Sequence, residues 1–270
     1  MTPTGCNMSE SIRPLIRIQP TGAERERWAR LAEREGFSYE LIELYQPPLL
    51  CGTDKAQRRC ADWYINSGRV HSVHGAFIGV DPASGDDSIR AISQLRCFDS
   101  CGLAQKLGAK QVIFHVSCCT FLRGAYLENW ANVCADYYTR LADSFPGLTL
   151  CIENSQDVDT TPLEALMQRT DERVQVCLDL GHAHYSGTPI EEWFERLGDS
   201  LACLHLSDNN GRFDDHLPLG EGTICWKEAD SLYRALGRTL PLTLEVGGLE
   251  GVKRSVSYLR ENSYFGMGAD

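Results

Sequence analysis

The sequence predicts a single (β/α)8 barrel, and three observations carry that prediction. The chain has 270 residues, close to the roughly 250 that one such barrel takes. Short β-branched apolar runs alternate with longer amphipathic ones along most of it, the pattern of parallel strands joined by helical crossovers. Strand after strand also closes on a residue able to bind metal: His74, His115, Glu153, Asp179, His205 and Glu245. In a barrel all parallel strand ends meet on one face, and that face carries the chemistry.

The elements follow in order. Residues 16–18 read as the first strand, 23–36 as the first helix, 41–44 as the second strand and 57–67 as the second helix. Strand 70–74 is followed by helix 87–107, which Gly108 stops. Strand 111–115 leads to helix 127–145, broken by Pro146-Gly147. Strand 148–153 precedes a short helix over 162–168, opened by a Thr-Pro pair that suits a cap and first turn. Strand 174–179 and helix 189–197, strand 201–205 and helix 226–236, and strand 240–245 and helix 249–261 complete eight units. One domain spans residues 1–270, with loose tails expected over 1–12 and 266–270. A doubly wound open sheet would alternate in the same way, so periodicity alone does not close the barrel.

Composition excludes several classes. With 43% hydrophobic and 23% charged residues the chain is an ordinary globule. No apolar run approaches the roughly 18 residues of a membrane span. The start lacks the basic and apolar regions of a signal peptide, which argues against export. Twelve cysteines scatter through strand-like and helix-like runs without a C-x-x-C pair, as buried thiols of a reduced cytoplasm would. Cys118–Cys119 and Cys97/Cys101 could form a redox or soft-metal site, but buried small hydrophobes are the commoner use. The net charge of −11 disfavours general affinity for nucleic acid without excluding a local basic patch. No G-x-S-x-G elbow, P-loop or dinucleotide turn is present, so no nucleotide cofactor is expected.

Two loops extend the set of ligand-type residues. His182 follows Asp179 by three positions, and Asp214 and His216 stand in the loop after His205. Each residue alone has an ordinary explanation, because a strand-end carboxylate often caps a helix and a lone histidine often packs in a core. Together they do not. Val or Ile would pack better at six successive strand ends, and grouped buried carboxylates are costly unless a cation neutralises them. Mixed carboxylate and imidazole ligands suit manganese, zinc, cobalt or iron better than calcium. His71 falls on the opposite strand face from His74, and His184 is read as a structural rim residue. Phe77, Trp63 and Trp226 could stack on a substrate, with core packing the commoner role. Amides in Leu219-Gly-Glu-Gly222 could face an anion, or the glycines could make a tight turn.

Several stretches together resemble a known superfamily: His74-Gly-Ala-Phe77, Ile152-Glu-Asn154, Cys177-Leu-Asp-Leu-Gly-His-Ala183, His205-Leu-Ser-Asp208, Asp214-Asp-His-Leu-Pro-Leu-Gly-Glu-Gly222 and Glu245. The chain resembles the xylose-isomerase-like barrels, which include sugar-phosphate isomerases and epimerases and endonuclease IV. The likeness covers about residues 70–262, with 1–69 matching only in outline. In the isomerase branch it implies one divalent metal held by Glu153, Asp179, His205 and Glu245. The two glutamates would then move protons through a metal-stabilised enediolate. His182 would contact a substrate oxygen, and His74, His115, Asp214 and His216 would be substrate groups. In the endonuclease branch all nine residues would hold three zinc ions and hydrolyse phosphodiesters at abasic DNA. Against the nuclease stand Ser155-Gln-Asp-Val-Asp159 where its pattern has a Gly-rich turn, Asp215 where it has a basic residue, and the acidic balance. The resemblance therefore implies a metal-dependent isomerase or epimerase of a sugar or sugar phosphate, with the endonuclease as the alternative. A barrel keeping relic ligands as a binding module is disfavoured, because uncompensated buried carboxylates would be lost first. The expected partner is a small carbohydrate, with no membrane. The oligomeric state is left open, a homodimer included.

Overall fold

The computed structural model describes residues 14–22, 24–121 and 123–268. Among them, eight parallel strands close in chain order into one barrel: β1 (Ile16–Ile18), β2 (Ser38–Leu41), β3 (Val70–His74), β4 (Gln111–His115), β5 (Thr149–Glu153), β6 (Val174–Asp179), β7 (Leu201–Leu206) and β8 (Leu242–Leu244). Strand β1 pairs with both β2 and β8, so the sheet has no edge. The connecting helices are α1 (Arg25–Glu35), α2 (Asp54–Ser67), α3 (Asp87–Leu107), α4 (Ala125–Ser144), α5 (Thr161–Met167), α6 (Leu180–Ser186), α7 (Ile190–Leu197), α8 (Trp226–Ala235) and α9 (Gly248–Asn262). Several are capped by sequence. Asp86 accepts from the amides of Ser88 and Ile89 at the start of α3, and Gly108 ends that helix in the left-handed conformation, with φ 71°.

Strand alternation sorts the side chains. Val73, Phe114, Ile152, Leu178, Leu204 and Leu244 turn outward into the layer between sheet and helices, where they join the main core. A second, smaller cluster of Ile113, Cys151, Cys177, Ala202 and Cys203 fills the lower lumen. The next inward positions on β5, β6 and β7 are Glu153, Asp179 and His205.

Three expectations need correction. Strand β2 runs over Ser38–Leu41 rather than 41–44, and a 3-10 turn at Glu43–Tyr45 occupies the expected strand. Apolar Leu41-Ile42 drew the expectation too late, and the charged Glu40 inside the strand concealed it. A turn of helix the sequence reading lacks, α6, starts directly after Asp179, whose carboxylate accepts the His182 amide at 2.6 Å. The expected loose tail is ordered through residue 268: Phe265 and Met267 are buried, and Phe265 packs against Trp226 and Tyr233. Residues 269–270 and the expected tail over 1–12 lie outside the described residues.

The eleven cysteines among the described residues are free. Cys97 and Cys101 are buried on α3 as small hydrophobes, whereas Cys119 is exposed. No helix of the described residues is long and apolar enough to cross a membrane.

Candidate metal centre

All nine ligand-type residues meet at the C-terminal end of the barrel. Their donor atoms form three groups, each within 4.8 Å: His74, His115 and Glu153; Glu153, Asp179, His205 and Glu245; His182, Asp214 and His216; Cys177, from the cluster below, also comes within that distance of Glu153 and His205. Glu153 joins the first two. Its Oε2 lies 3.3 Å from His74 Nε2 and 3.6 Å from His115 Nε2, while its Oε1 lies 3.2 Å from His205 Nδ1. Glu245 Oε2 reaches the same His205 Nδ1 at 2.7 Å. In the third group Asp214 Oδ2 sits 3.2 Å from His182 Nε2 and 3.0 Å from His216 Nε2.

Outer hydrogen bonds aim the imidazoles. Nδ1 of His74 donates to the Gly75 carbonyl at 3.2 Å, Nδ1 of His182 to Asn154 at 2.7 Å and Nδ1 of His216 to Glu245 at 2.7 Å, leaving each Nε2 toward its group. Ligand histidines are fixed in this way by partners behind the ring. Asn154, next to Glu153, also exchanges hydrogen bonds with the Asp179 backbone at 2.8 and 3.0 Å, tying β5 to β6 behind the ligands.

A cation fits the residues present. Both oxygens of Glu153, Asp179 Oδ2, Glu245 Oε2 and both ring nitrogens of His205 are buried without a hydrogen-bond partner. Orphaned buried carboxylate oxygens are costly, and mixed oxygen and nitrogen donors suit zinc, manganese, cobalt or iron. Burial, with Glu153 and Glu245 nearby, pushes the Asp179 carboxyl up to about 6 against the opposing pull of His182. Burial opposes charge on His205, yet Glu40, Glu153 and Glu245 raise its pKa well above the usual imidazole value. His115, farther from the carboxylates, is pushed down to about 4 by burial.

The loop carrying Asp214 and His216 is wound around an internal anion. Asp208, buried, accepts from the amides of Asn209, Gly220 and Ile224 and from the Trp226 indole, at 2.8–3.2 Å. The Gly-rich stretch does face an anion, but the anion is Asp208 itself. A Cβ at Gly222 would lie 2.3 Å from its Oδ1. Trp226 is thus a core residue, and Trp63 stacks on Tyr39 at 5.5 Å. Phe77 departs from the core expectation: its ring lies 4.9 Å from that of His74 and 5.0 Å from that of His115, at the border of the first group. His184 bonds Thr223 at 2.8 Å and His71 shares its strand face with Val73, so both stand outside the groups, as expected.

The residue that sequence reasoning missed is Glu40. It is fully buried in the lumen beneath the ligands, with Oε1 3.1 Å from His205 Nε2. Its signal was period-two alternation: in Ser38-Tyr-Glu-Leu41, outward Tyr39 and Leu41 leave Glu40 pointing inward.

Barrel closure and the ligand groups define the class. A family model for the xylose isomerase-like TIM barrel matches residues 5–262, and the chain belongs to that family. It is similar to the zinc-soaked TTHB071 protein of Thermus thermophilus (TM-score 0.74, 23% identity, covering 94% of this chain and 99% of that one). A D-tagatose 3-epimerase-like protein superposes with TM-score 0.72 at 19% identity, covering 92% and 96%. Among sequence relatives, a probable endonuclease 4 of Haloarcula marismortui is 27% identical over 173 residues, covering 56% of this chain and 61% of that protein.

Proposed function

We propose that this chain is a metal-dependent hydrolase of phosphoric diesters that holds three divalent ions. One observation carries the reading: the five ligand-type residues outside the four-residue group that an isomerase needs are not scattered but fall into two further groups, one of them sharing Glu153. His74, His182 and His216 have their outer nitrogens anchored on backbone carbonyls, and in each group the inner nitrogens, that of His115 included, converge on a carboxylate. His74, Glu153, Asp179, His182 and His205 are buried, and burying that many titratable groups for packing alone would be costly. The zinc chloride soak of the TTHB071 protein and the endonuclease name of the Haloarcula relative support it.

When bound, three such ions supply Lewis acidity, making water nucleophilic at neutral pH and neutralising charge on the phosphoryl and leaving oxygens. The chain's own part is orientation. Glu153 spans two groups through its two oxygens, and His182 Nδ1, 3.5 Å from Glu153 Oε1, adjoins the third group to them. Phe77 walls the first group on one side. The net charge of −11 and the exposed Asp215 weaken attraction for a long polyanion, so small diesters belong beside DNA in the assay.

Metal analysis after zinc loading, with hydrolysis of bis(4-nitrophenyl) phosphate and incision of abasic duplex DNA, tests the reading. About three zinc ions per chain and chelator-sensitive cleavage of at least one substrate are expected. One tight ion with neither substrate cleaved would refute it.

A second reading has its own observation. Glu153 on β5 and Glu245, just past β8, approach His205 Nδ1 from strands on different sides of the barrel. Carboxylates so placed could flank a substrate carbon and exchange its proton, as a sugar isomerase or epimerase requires. The likeness to the D-tagatose 3-epimerase-like protein supports it. Deuterium uptake from solvent into a panel of ketoses and ketose phosphates would reveal that activity.

A further inference from the structure

His205 differs from the other anchored imidazoles. His74, His182 and His216 place Nδ1 on a backbone carbonyl and turn Nε2 to the ligand groups. His205 is inverted: its Nδ1 faces Glu153 and Glu245, and its Nε2 faces Glu40 Oε1 down the lumen, an ion-pair contact at 3.1 Å that is not aligned as a hydrogen bond. No backbone carbonyl serves as its anchor among the described contacts; a carboxylate takes that place.

Glu40 is itself held rigidly. Its Oε1 accepts from the Gln19 amide at 3.0 Å, and its Oε2 accepts from Ser72 at 2.7 Å and Thr243 at 3.2 Å. Those partners come from the β1 end, β3 and β8, so three neighbouring parts of the barrel fix one carboxylate. Arg17 NH2 stands 3.7 Å from Oε2, and all three of Glu40, Arg17 and His205 are fully buried.

We propose that Glu40 is the positioning residue of His205. Its carboxylate keeps the imidazole proton on Nε2, so that Nδ1 presents its lone pair to the Glu153–Asp179–His205–Glu245 group. A carboxylate behind a ligand histidine orients the ring and raises its basicity, and losing such a partner costs about 10–100-fold in metal affinity. The proposal rests on that group holding a metal, which both functional readings share. The competing role for Glu40 is plain counter-charge to Arg17.

Cobalt titration followed by visible absorption separates the two roles. Glu40→Gln, whose amide can donate to Nε2 and so favours the wrong tautomer, is expected to weaken cobalt binding about 10–100-fold. Adding Arg17→Met removes the stranded cation and is expected to restore the unfolding midpoint without restoring affinity. Unchanged affinity in Glu40→Gln, or recovery of affinity in the double variant, assigns Glu40 to charge balance and overturns the proposal. If wild-type protein binds no cobalt, the metal reading falls and the proposal with it. A second measurement needs no Glu40 variant. In long-range ¹H–¹⁵N spectra of zinc-loaded wild-type protein, the ring lost in His205→Gln should carry its proton on Nε2. A proton on Nδ1 of that ring overturns the proposal.

Discussion

The two ends of the barrel lumen use the same strands, two residues apart, for opposite chemistry. On β5, β6 and β7 the lower inward residues are Cys151, Cys177 and Cys203, fully buried with Ile113 in an apolar plug. One register step higher stand Glu153, Asp179 and His205, equally buried but with orphaned polar atoms. Arg17 marks the lower end, where its NH1 donates to Gln111 at 2.7 Å, and Glu40 stands at the boundary between Arg17 and His205. The plug stiffens the strands through close packing. Rigid strands then hold buried ligands in place that would otherwise swing apart or hydrate, which is why a costly polar layer persists above a cheap apolar one.

The largest expected effect breaks the upper end. Glu153→Gln removes the residue that joins the His74–His115 group to the Asp179–His205–Glu245 group. Even partners behind a ligand are worth about 10–100-fold, so loss of turnover on the order of a thousand-fold is expected for whichever reaction is found, together with fewer bound ions. Steady-state kinetics with metal analysis checks it. Full turnover with full metal content would mean that the upper layer is merely structural, like the lower one.

The lower end predicts a stability effect instead. Arg17→Met deletes the buried cation beside Glu40, and breaking a buried pair from one side costs about 3–5 kcal/mol. Ser72, Thr243 and Gln19 still bond Glu40, which puts the expectation at the low end of that range. Urea unfolding at neutral pH reads it. A loss of metal affinity as large as that of Glu40→Gln would erase the distinction between the ends.

How much of this was legible in the sequence follows from the same contrast. The convergence of the ligand-type residues at one end of the barrel could be read because His, Asp and Glu at strand ends violate what packing selects, and six in succession form a pattern. Seven of the eight strands were placed for the same reason: β-branched runs stop abruptly at polar residues or at Gly and Pro. The eighth, β2, was misplaced because a buried charge sits in its middle and makes it look like a loop. Glu40 was lost with it. Helix α6 was hidden because its start depends on Asp179 capping the His182 amide, a contact masked by reading both residues as candidate ligands. Which nitrogen of each histidine faces inward was not legible at all. It depends on the carbonyls of Asn154 and Glu245, which only the folded chain brings near His182 and His216, and on how His74 turns toward its neighbour Gly75.

Asp157 sharpens the comparison with the smallest expected effect. It shares the upper face but belongs to none of the three groups. It is 3% exposed; Oδ2 accepts from the Ser155 amide at 3.0 Å and Oδ1 has no partner. Burial pushes its carboxyl up to about 7, against weaker opposing pulls from that amide and His182. A carboxyl raised above its unfolded value contributes stability that is full below the unfolded pKa and lost as pH rises through the folded one. Wild-type stability should therefore fall by about 2–3 kcal/mol from this group between pH 5 and pH 8. Asp157→Asn keeps an acceptor for the Ser155 amide and should remove that fall, so the variant becomes the more stable protein at pH 8. Urea unfolding at the two pH values, in chelator so that bound ions do not contribute, measures the difference. Equal pH dependence in both proteins would show that water reaches this carboxyl. The cost of burial would then be lower across the whole upper face, and the orphaned oxygens of Glu153 and Asp179 would call less strongly for cations than their burial implies.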